Sequence, residues 1–256
     1  MKIQRLGWAG IKIETGGLTI LVDAVEHYAA SRFFVIDTKD ADYTFSDDTQ
    51  ADYAVITHLH TDHYDAGLIR KCLKPEGKLV CSSLFSDQLR ADGFDNLVVL
   101  SWEEVFDAGA VQFTPVFAMD GFGDQQVSWV IEDSTHRILH GGDTIWHNQF
   151  WKIGAQYQGF DAVFLPVNGV LMHFKKPESG GPATLTPEQA IGAAVILGAK
   201  VLIPIHYGFN LPGVYEEYPN VVPRLKEIAA GRGLPLSFLQ PGAYLEPQAT
   251  LQEANN

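Results

Sequence analysis

Three imidazoles and a carboxylate fall within six consecutive residues, His58-Leu59-His60-Thr61-Asp62-His63. Neutral imidazole is the commonest protein ligand for divalent transition metals, and a carboxylate adds the negative charge a cation needs. The whole chain holds only nine histidines, so this clustering is poorly explained as an ordinary polar loop. The spacing also sorts the donors. His58 and His60 are two apart at the end of the apolar run Tyr53-Ala54-Val55-Ile56, where extended geometry puts alternate side chains on one face. Asp62 and His63 follow at the turn into a helix-like stretch, Tyr64 to Cys72. Two adjacent ligand pairs can then face two neighbouring ions.

Two further segments carry donors. In Leu139-His140-Gly141-Gly142-Asp143-Thr144 an apolar strand ends in two glycines and an acid. Glycine lets the backbone approach a metal or substrate closely. Taken alone, Asp143 would read as an aspartate in a Gly-rich turn. The buried-looking strand Val201–Ile205 presents His206 at its C-terminal end, where α/β proteins collect functional polar groups. Two other histidines are candidates for the wall of a substrate pocket. His147 follows Asp143 closely, beside Trp146, and His173 lies in the Gly- and Pro-containing segment Asn168–Ala183 with Lys175-Lys176. His27 and His136 sit in an early loop and beside a turn, and carry less weight.

The pattern His58-x-His60-x-Asp62-His63 resembles the signature of the metallo-β-lactamase-fold superfamily of metal-dependent hydrolases. The resemblance implies that His58 and His60 bind one metal, that Asp62, His63 and His206 bind a second, and that Asp143 bridges both. Thr186-Pro187-Glu188-Gln189-Ala190 with Pro204-Ile205-His206-Tyr207-Gly208 resembles one branch, the ascorbate-6-phosphate lactonase-like group. That group also includes phospholipase D-type enzymes acting on N-acyl ethanolamine phospholipids. Asp23, ending Leu18–Val22, and the closing Leu239-Gln240-Pro241-Gly242 fit the same branch. There is one departure. The family usually places another histidine on the first metal after the strand found here at Val111–Phe117, typically as Pro-Ala-x-His. This chain reads Val116-Phe117-Ala118-Met119-Asp120, and aligning Ala118 on the family alanine puts Asp120 at that ligand. A carboxylate there moves metal preference toward manganese or iron relative to a His-rich zinc site. The other reading of Asp120 is the first residue of the turn Asp120-Gly121-Phe122-Gly123.

The implied activity is hydrolysis at a binuclear centre of two divalent ions, zinc first, with manganese or iron as alternatives. Metal binding lowers the pKa of water to roughly 7. The resulting hydroxide would attack a lactone or ester carbonyl, or a phosphodiester, of a small molecule, with Asp62 orienting the nucleophile as well as binding metal. Two other classes use the same residues: an iron-dependent oxidoreductase, and a non-catalytic relative that binds a ligand or partner.

The elements that must position these donors read as two similar halves. Strand-like runs at Ile3–Leu6, Ile11–Glu14 and Leu18–Val22, with Gly16-Gly17 as a hairpin turn, precede a long irregular segment, Ala24 to Gln50. Strands at Tyr53–Thr57, Lys78–Cys81 and Leu97–Leu100 alternate with helices at Tyr64–Lys74 and Ser83–Ala91. The second half repeats this order: strands at Val111–Phe117, Val127–Glu132 and Arg137–His140, then Asp161–Val167, a helix at Thr186–Gly198 capped by Thr184 or Thr186, and the Val201 strand. A helix at Val222–Ala230 ended by Gly231 and a strand-like Phe238–Glu246 close the chain. The pattern and the resemblance together imply an α/β fold, a four-layer αβ/βα sandwich of two packed mixed sheets with helices outside, as one domain over residues 1–256.

Composition narrows the partners. The formal charge of −13 and pI ≈ 5.0 disfavour nucleic acid, which is bound through Lys and Arg clusters. A hydrophobic share of 46% supports a sizeable core, and Cys72 and Cys81 read as buried free thiols. No run approaches a membrane span, and Met1–Leu6 lacks a signal-like apolar stretch, which makes a cytoplasmic protein the expectation.

Overall fold

Two six-stranded sheets repeat one building logic in the computed structural model, which describes residues 1–26, 36 and 42–245. His27, Glu246 and most of the predicted Ala24–Gln50 segment lie outside the described residues. The first sheet opens with an antiparallel meander, β1 (Lys2–Gly7), β2 (Gly10–Thr15) and β3 (Leu18–Val22). It continues with parallel strands β4 (Ala51–Val55), β5 (Leu73–Ser82) and β6 (Leu97–Leu100). Helix α1 (Ala66–Cys72) links β4 to β5, and α2 (Ser86–Ala91) links β5 to β6, as parallel pairs require a crossover.

The second sheet is built likewise. Antiparallel β7 (Phe106–Asp107), β8 (Gln112–Phe117), β9 (Val127–Glu132) and β10 (Arg137–His140) are extended in parallel by β11 (Ala162–Pro166) and, after the short β12 (Leu171–Met172), by β13 (Leu202–Ile205). Helix α3 (Gln149–Tyr157) precedes β11 and α4 (Pro187–Ile196) precedes β13. Strand β14 (Tyr215–Glu216) pairs with β12, and α5 (Val221–Arg232) follows.

Period-2 patterning explains the layers. In β9, Val127, Trp129 and Ile131 face the core shared with Ile11, Ile13, Ile20 and Val22 of the first sheet, whereas Val130 faces the core beneath Phe150 and Ile153 of α3. The same split separates Phe164 from Val163 and Leu165 in β11, and Ile203 from Leu202 in β13. Both faces of this sheet are therefore apolar, and it is buried between the first sheet and α3, α4 and α5. Trp129 is fully buried, so Trp129→Ala would cost about 3–5 kcal/mol.

Local signals set the boundaries. Gly16 and Gly17 both have positive φ, 56° and 81°, as a two-residue hairpin turn of this hand demands. Thr186 caps α4: its hydroxyl accepts from Gln189 N while the Gln189 side chain accepts from Thr186 N, with Pro187 starting the helix. Helix α5 runs through the predicted stop at Gly231 and ends instead at Gly233, whose φ of 64° closes it. The closing segment is not a strand. Pro241-Gly242 interrupts it, and it follows β1 only through bonds such as Gly242 N to Arg5 O, 2.7 Å, and Arg5 N to Ala243 O, 3.0 Å. Helix α3 lies outside the predicted elements, although Phe150 and Ile153, its two buried residues, fall at helical spacing with Tyr157 one turn further on. Cys72 and Cys81 are free and buried. Among the described residues no helix is long and apolar enough to cross a membrane.

Candidate metal centre

The histidine-rich loop leaves β4 and enters α1, and the second sheet clamps its start. The Trp129 indole N–H donates to Ile56 O at 2.8 Å, and Val127 N donates to Thr57 O at 3.0 Å. His63 N and Tyr64 N then both donate to His60 O, folding the loop back on itself. Asp65 caps α1 by accepting from Leu68 N. Asp143 arrives from beyond β10, His206 from the end of β13 and Asp120 from beyond β8.

Three overlapping groups of candidate donors result, one of which, Asp23, His58 and His63, lies behind the other two. In the first of those two, one ligand atom from each of Asp62, His63, Asp143 and His206 lies within 4.8 Å of all the others. Asp143 Oδ1 is 3.0 Å from His63 Nε2, Asp143 Oδ2 is 3.0 Å from His206 Nε2, and Asp62 Oδ2 is 3.3 Å from His206 Nε2. In the second, His58, His60 and Asp120 meet the same limit. His58 Nε2 is 3.0 Å from His60 Nδ1, which is 3.7 Å from Asp120 Oδ2. Asp143 stands between the groups, since its Oδ2 is also 3.9 Å from His58 Nε2. His206 therefore joins the His58 cluster across the sandwich.

The far nitrogens of His58, His60 and His63 are already held. His63 Nδ1–H donates to Asp23 Oδ2 at 2.8 Å, which turns Nε2 inward. The Thr57 hydroxyl donates to the same carboxylate at 2.7 Å and lies 2.9 Å from His58 Nδ1, so Asp23 orients one ring directly and another through Thr57. Asp124 Oδ2 takes His60 Nε2–H at 3.0 Å and leaves Nδ1 facing its group. Trp8 Nε1–H donates to Asp62 Oδ2 at 3.0 Å, and its ring lies 4.3 Å from that of His206. Trp8, Asp23 and His206 all have positive φ, at 40°, 44° and 57°, a conformation costly for side chains other than glycine and concentrated here at one centre. Gly142 is required twice over: its φ is 58°, and a Cβ there would come within 2.7 Å of Thr57 Oγ1.

Asp120 takes part in the turn and lies beside His60. Its Oδ1 accepts from Phe122 N at 2.6 Å, closing the turn, while Oδ2 faces His60. Burial raises its carboxyl above the usual range.

The electrostatics describe buried carboxylates and histidines that strongly perturb one another. Burial would raise Asp143, yet His206 and His63 hold it well below the ordinary value. Burial would lower His63, yet Asp143 and Asp62 push it well above. His206 is raised to about 9 by the same two carboxylates against its burial. His58, buried and next to His63 and His60, falls to about 3. His63 Nε2 and Asp143 Oδ1 are buried with no hydrogen-bond partner of proper geometry among the described residues. Inward-facing imidazole nitrogens and unsatisfied carboxylate oxygens are the donor set of a divalent ion, so the residues fit one.

A cavity of about 270 Å³ opens onto His60, Asp62, Asp143 and His206. The two histidines expected in its wall are elsewhere. His147 is buried with its ring 3.9 Å from that of Phe150 and 5.0 Å from that of Phe117. His173 is paired with Glu178 at 2.8 Å and Glu216 at 3.5 Å, while its neighbours Met172, Phe174 and Lys175 line the cavity. The sequence reading missed Trp8, Asp124 and Gln126, whose Oε1 accepts from Asp143 N at 3.0 Å. The only local hint was Trp8 between Gly7 and Gly10, at the tip of an apolar hairpin.

These features agree with the comparisons to known proteins. A family described as "Beta-lactamase superfamily domain" matches residues 19–207. A UPF0173 metal-dependent hydrolase of Geobacillus thermodenitrificans is 30% identical, the match covering 96% of this chain and 100% of that protein. The chain belongs to the β-lactamase superfamily, and within it to these metal-dependent hydrolases. The fold is the metallo-β-lactamase sandwich. It is similar to Igni18, a metallo hydrolase of Ignicoccus hospitalis, with a TM-score of 0.70 at 20% identity over 96% of this chain and 99% of that one. It is also similar to CmlA, a diiron β-hydroxylase of Streptomyces venezuelae, with a TM-score of 0.74 at 18% identity over 96% of this chain and 54% of that one.

Proposed function

We propose that the protein hydrolyses a lactone or ester of a small molecule with two divalent ions. Asp62, His63, Asp143 and His206 would hold one ion, and His58, His60 and Asp120 would hold the other, with Asp143 near both groups. The observation that carries this reading is the convergence of seven donor side chains from four separate chain segments, with His60, Asp62, Asp143 and His206 among them opening onto one cavity. When bound, the ions supply Lewis acidity toward the substrate oxygen and acidify water to a pKa of roughly 7.

The chain's own residues do the rest. Asp23 and Asp124 fix the rings of His63 and His60, so the donors are oriented before any ion arrives. Asp62 lines the cavity, and Trp8 N–H engages its Oδ2, leaving Oδ1 as the oxygen to accept a proton from the attacking water. Leu59, Phe122 and Phe174 keep the cavity apolar and exclude bulk water from the reacting bond. Zinc is the first expectation, and the carboxylate of Asp120 admits manganese or iron. A phosphodiester ranks below an ester, because a chain of net charge −13 offers no general attraction for a phosphate.

Metal analysis of protein purified without added metal, followed by a panel of esters, lactones and phosphodiesters, tests this. Two redox-silent ions with ester or lactone turnover are expected. A second reading, an iron-dependent oxidoreductase, is favoured by Asp120 in the donor set and by the fold shared with a diiron hydroxylase. Bound iron with oxygen consumption and no hydrolysis would replace the first reading with the second.

A further inference from the structure

The cavity has two unlike ends. One end is the donor set. The other is an aromatic wall, where the rings of Phe122 and Phe174 lie 5.9 Å apart and the Lys175 ammonium stands 3.9 Å from the centroid of Phe122. Phe122 connects the two ends, with its ring 6.0 Å from that of His60. Lys175 is the one Lys or Arg among the described residues that line the cavity. Its neighbour Lys176 is paired with Glu178, whereas Lys175 has no carboxylate partner among the described residues and rests on the face of an aromatic ring. In a chain of net charge −13, this exposed ammonium, with no carboxylate partner among the described residues and lining the cavity, is placed to meet an anion.

Building on the hydrolase reading above, we propose that the substrate is a small monoanion. Its apolar body packs on Phe122 and Phe174, and a carboxylate remote from the scissile bond pairs with Lys175. Size, shape and charge all point this way. At about 270 Å³ the cavity lies just below the roughly 300–1,000 Å³ of pockets for drug-sized ligands, so the substrate is small. The contacts from His60 to Phe122, 6.0 Å, and from Phe122 to Lys175, 3.9 Å, put one aromatic ring between the donor set and the ammonium. One lysine matches one negative charge. Asp124, exposed on the same wall, opposes a second charge and so disfavours a phosphate dianion.

The test uses the metal-loaded full chain and three 4-nitrophenyl esters that differ only at the acyl end: the hydrogen glutarate, its neutral methyl ester and a phosphonate dianion. The carboxylate ester should have the highest kcat/KM. Lys175→Gln should cut the carboxylate-to-methyl-ester ratio by about tenfold, the loss expected for one charge-assisted contact, and Lys175→Glu should reverse the preference. A ratio of one or less, or a ratio that Lys175→Gln leaves unmoved, overturns the proposal, as does a preference for the phosphonate. A second measurement separates this from the hydrolase reading. If no ester, lactone or phosphodiester is hydrolysed, that reading falls, and the pocket is then judged by calorimetric binding of 4-phenylbutanoate against 4-phenylbutanamide. Tighter binding of the acid that is lost in Lys175→Gln supports the monoanion site, and equal binding in both proteins rejects it.

Discussion

The two donor groups are built from the same residue types but differ in how firmly they are held. Asp62, His63, Asp143 and His206 form a four-membered set in which both histidines and Asp143 are buried, with Asp23 and Trp8 bracing it from behind. His58, His60 and Asp120 make a three-membered set. The His60 side chain is 30% exposed, its outer nitrogen leans on an exposed aspartate, and one oxygen of Asp120 is committed to a turn. Donors with few alternatives bind tightly, because little conformational freedom is lost when the ion arrives. The first group should hold its ion through purification, and the second should exchange more readily and choose its metal less strictly.

The strongest challenge to this contrast is to remove what both groups share. Asp143→Ala should lose both ions and lower turnover by about a thousandfold or more, since neither cation keeps its common carboxylate. Metal analysis with steady-state kinetics checks this; a variant with two ions and parental turnover would show that Asp143 bridges nothing.

Removing Asp120 should separate the groups. Asp120→Ala should keep one ion and lose the other, with turnover down about a hundredfold, while Asp120→His should keep both and favour zinc, because imidazole suits zinc well. If Asp120→Ala binds two ions as tightly as the parent, its role is the Phe122 turn alone, and the cost is a modest loss of stability, about 0.5–2 kcal/mol.

The bracing can be weakened without touching a donor. Asp23→Asn should reduce affinity for the first ion by roughly 10–100-fold, the usual cost of losing the partner that orients a ligating histidine. Competition with a fluorescent chelator measures it, and unchanged affinity would mean that burial alone fixes the His63 ring. Trp8→Phe, which deletes a single donor to Asp62, should cost only a few-fold in turnover by the same logic.

His147 sharpens the comparison from outside, because it is a buried histidine with no carboxylate paired to it among the described residues. Burial holds its pKa down to about 4. Its folded value is therefore below the unfolded value of about 6.5, so the unfolded chain takes the proton first as pH falls. Stability should be lost between about pH 6.5 and pH 4, by an amount on the order of 2–3 kcal/mol. Urea unfolding of chelator-treated protein at pH 7 and pH 4.5 should show a smaller pH effect in His147→Gln than in the parent. An equal pH effect in both would place the acid sensitivity elsewhere.

Much of this centre could be read from the chain because its signals are local. Six donors lie at strand ends in clusters whose spacing is set by backbone geometry. The Gly16-Gly17 turn and the Thr186–Gln189 cap depend only on φ preferences and on bonds between residues three apart. Most of the strands were legible as local apolar runs, whereas their packing into two mixed sheets was read from the element order together with the family resemblance. Tertiary structure alone decided which groups support the donors and which face the substrate. Trp8 meets Asp62 across 54 positions of chain, and Asp23 meets His63 across 40. His147 stands four residues from Asp143 yet packs into an aromatic core, whereas Phe122, Phe174 and Lys175 reach the cavity. Closeness in sequence does not fix which way a side chain points once a loop turns. That direction is set by how two sheets and their connecting loops pack, and it is summed over contacts that no single segment contains.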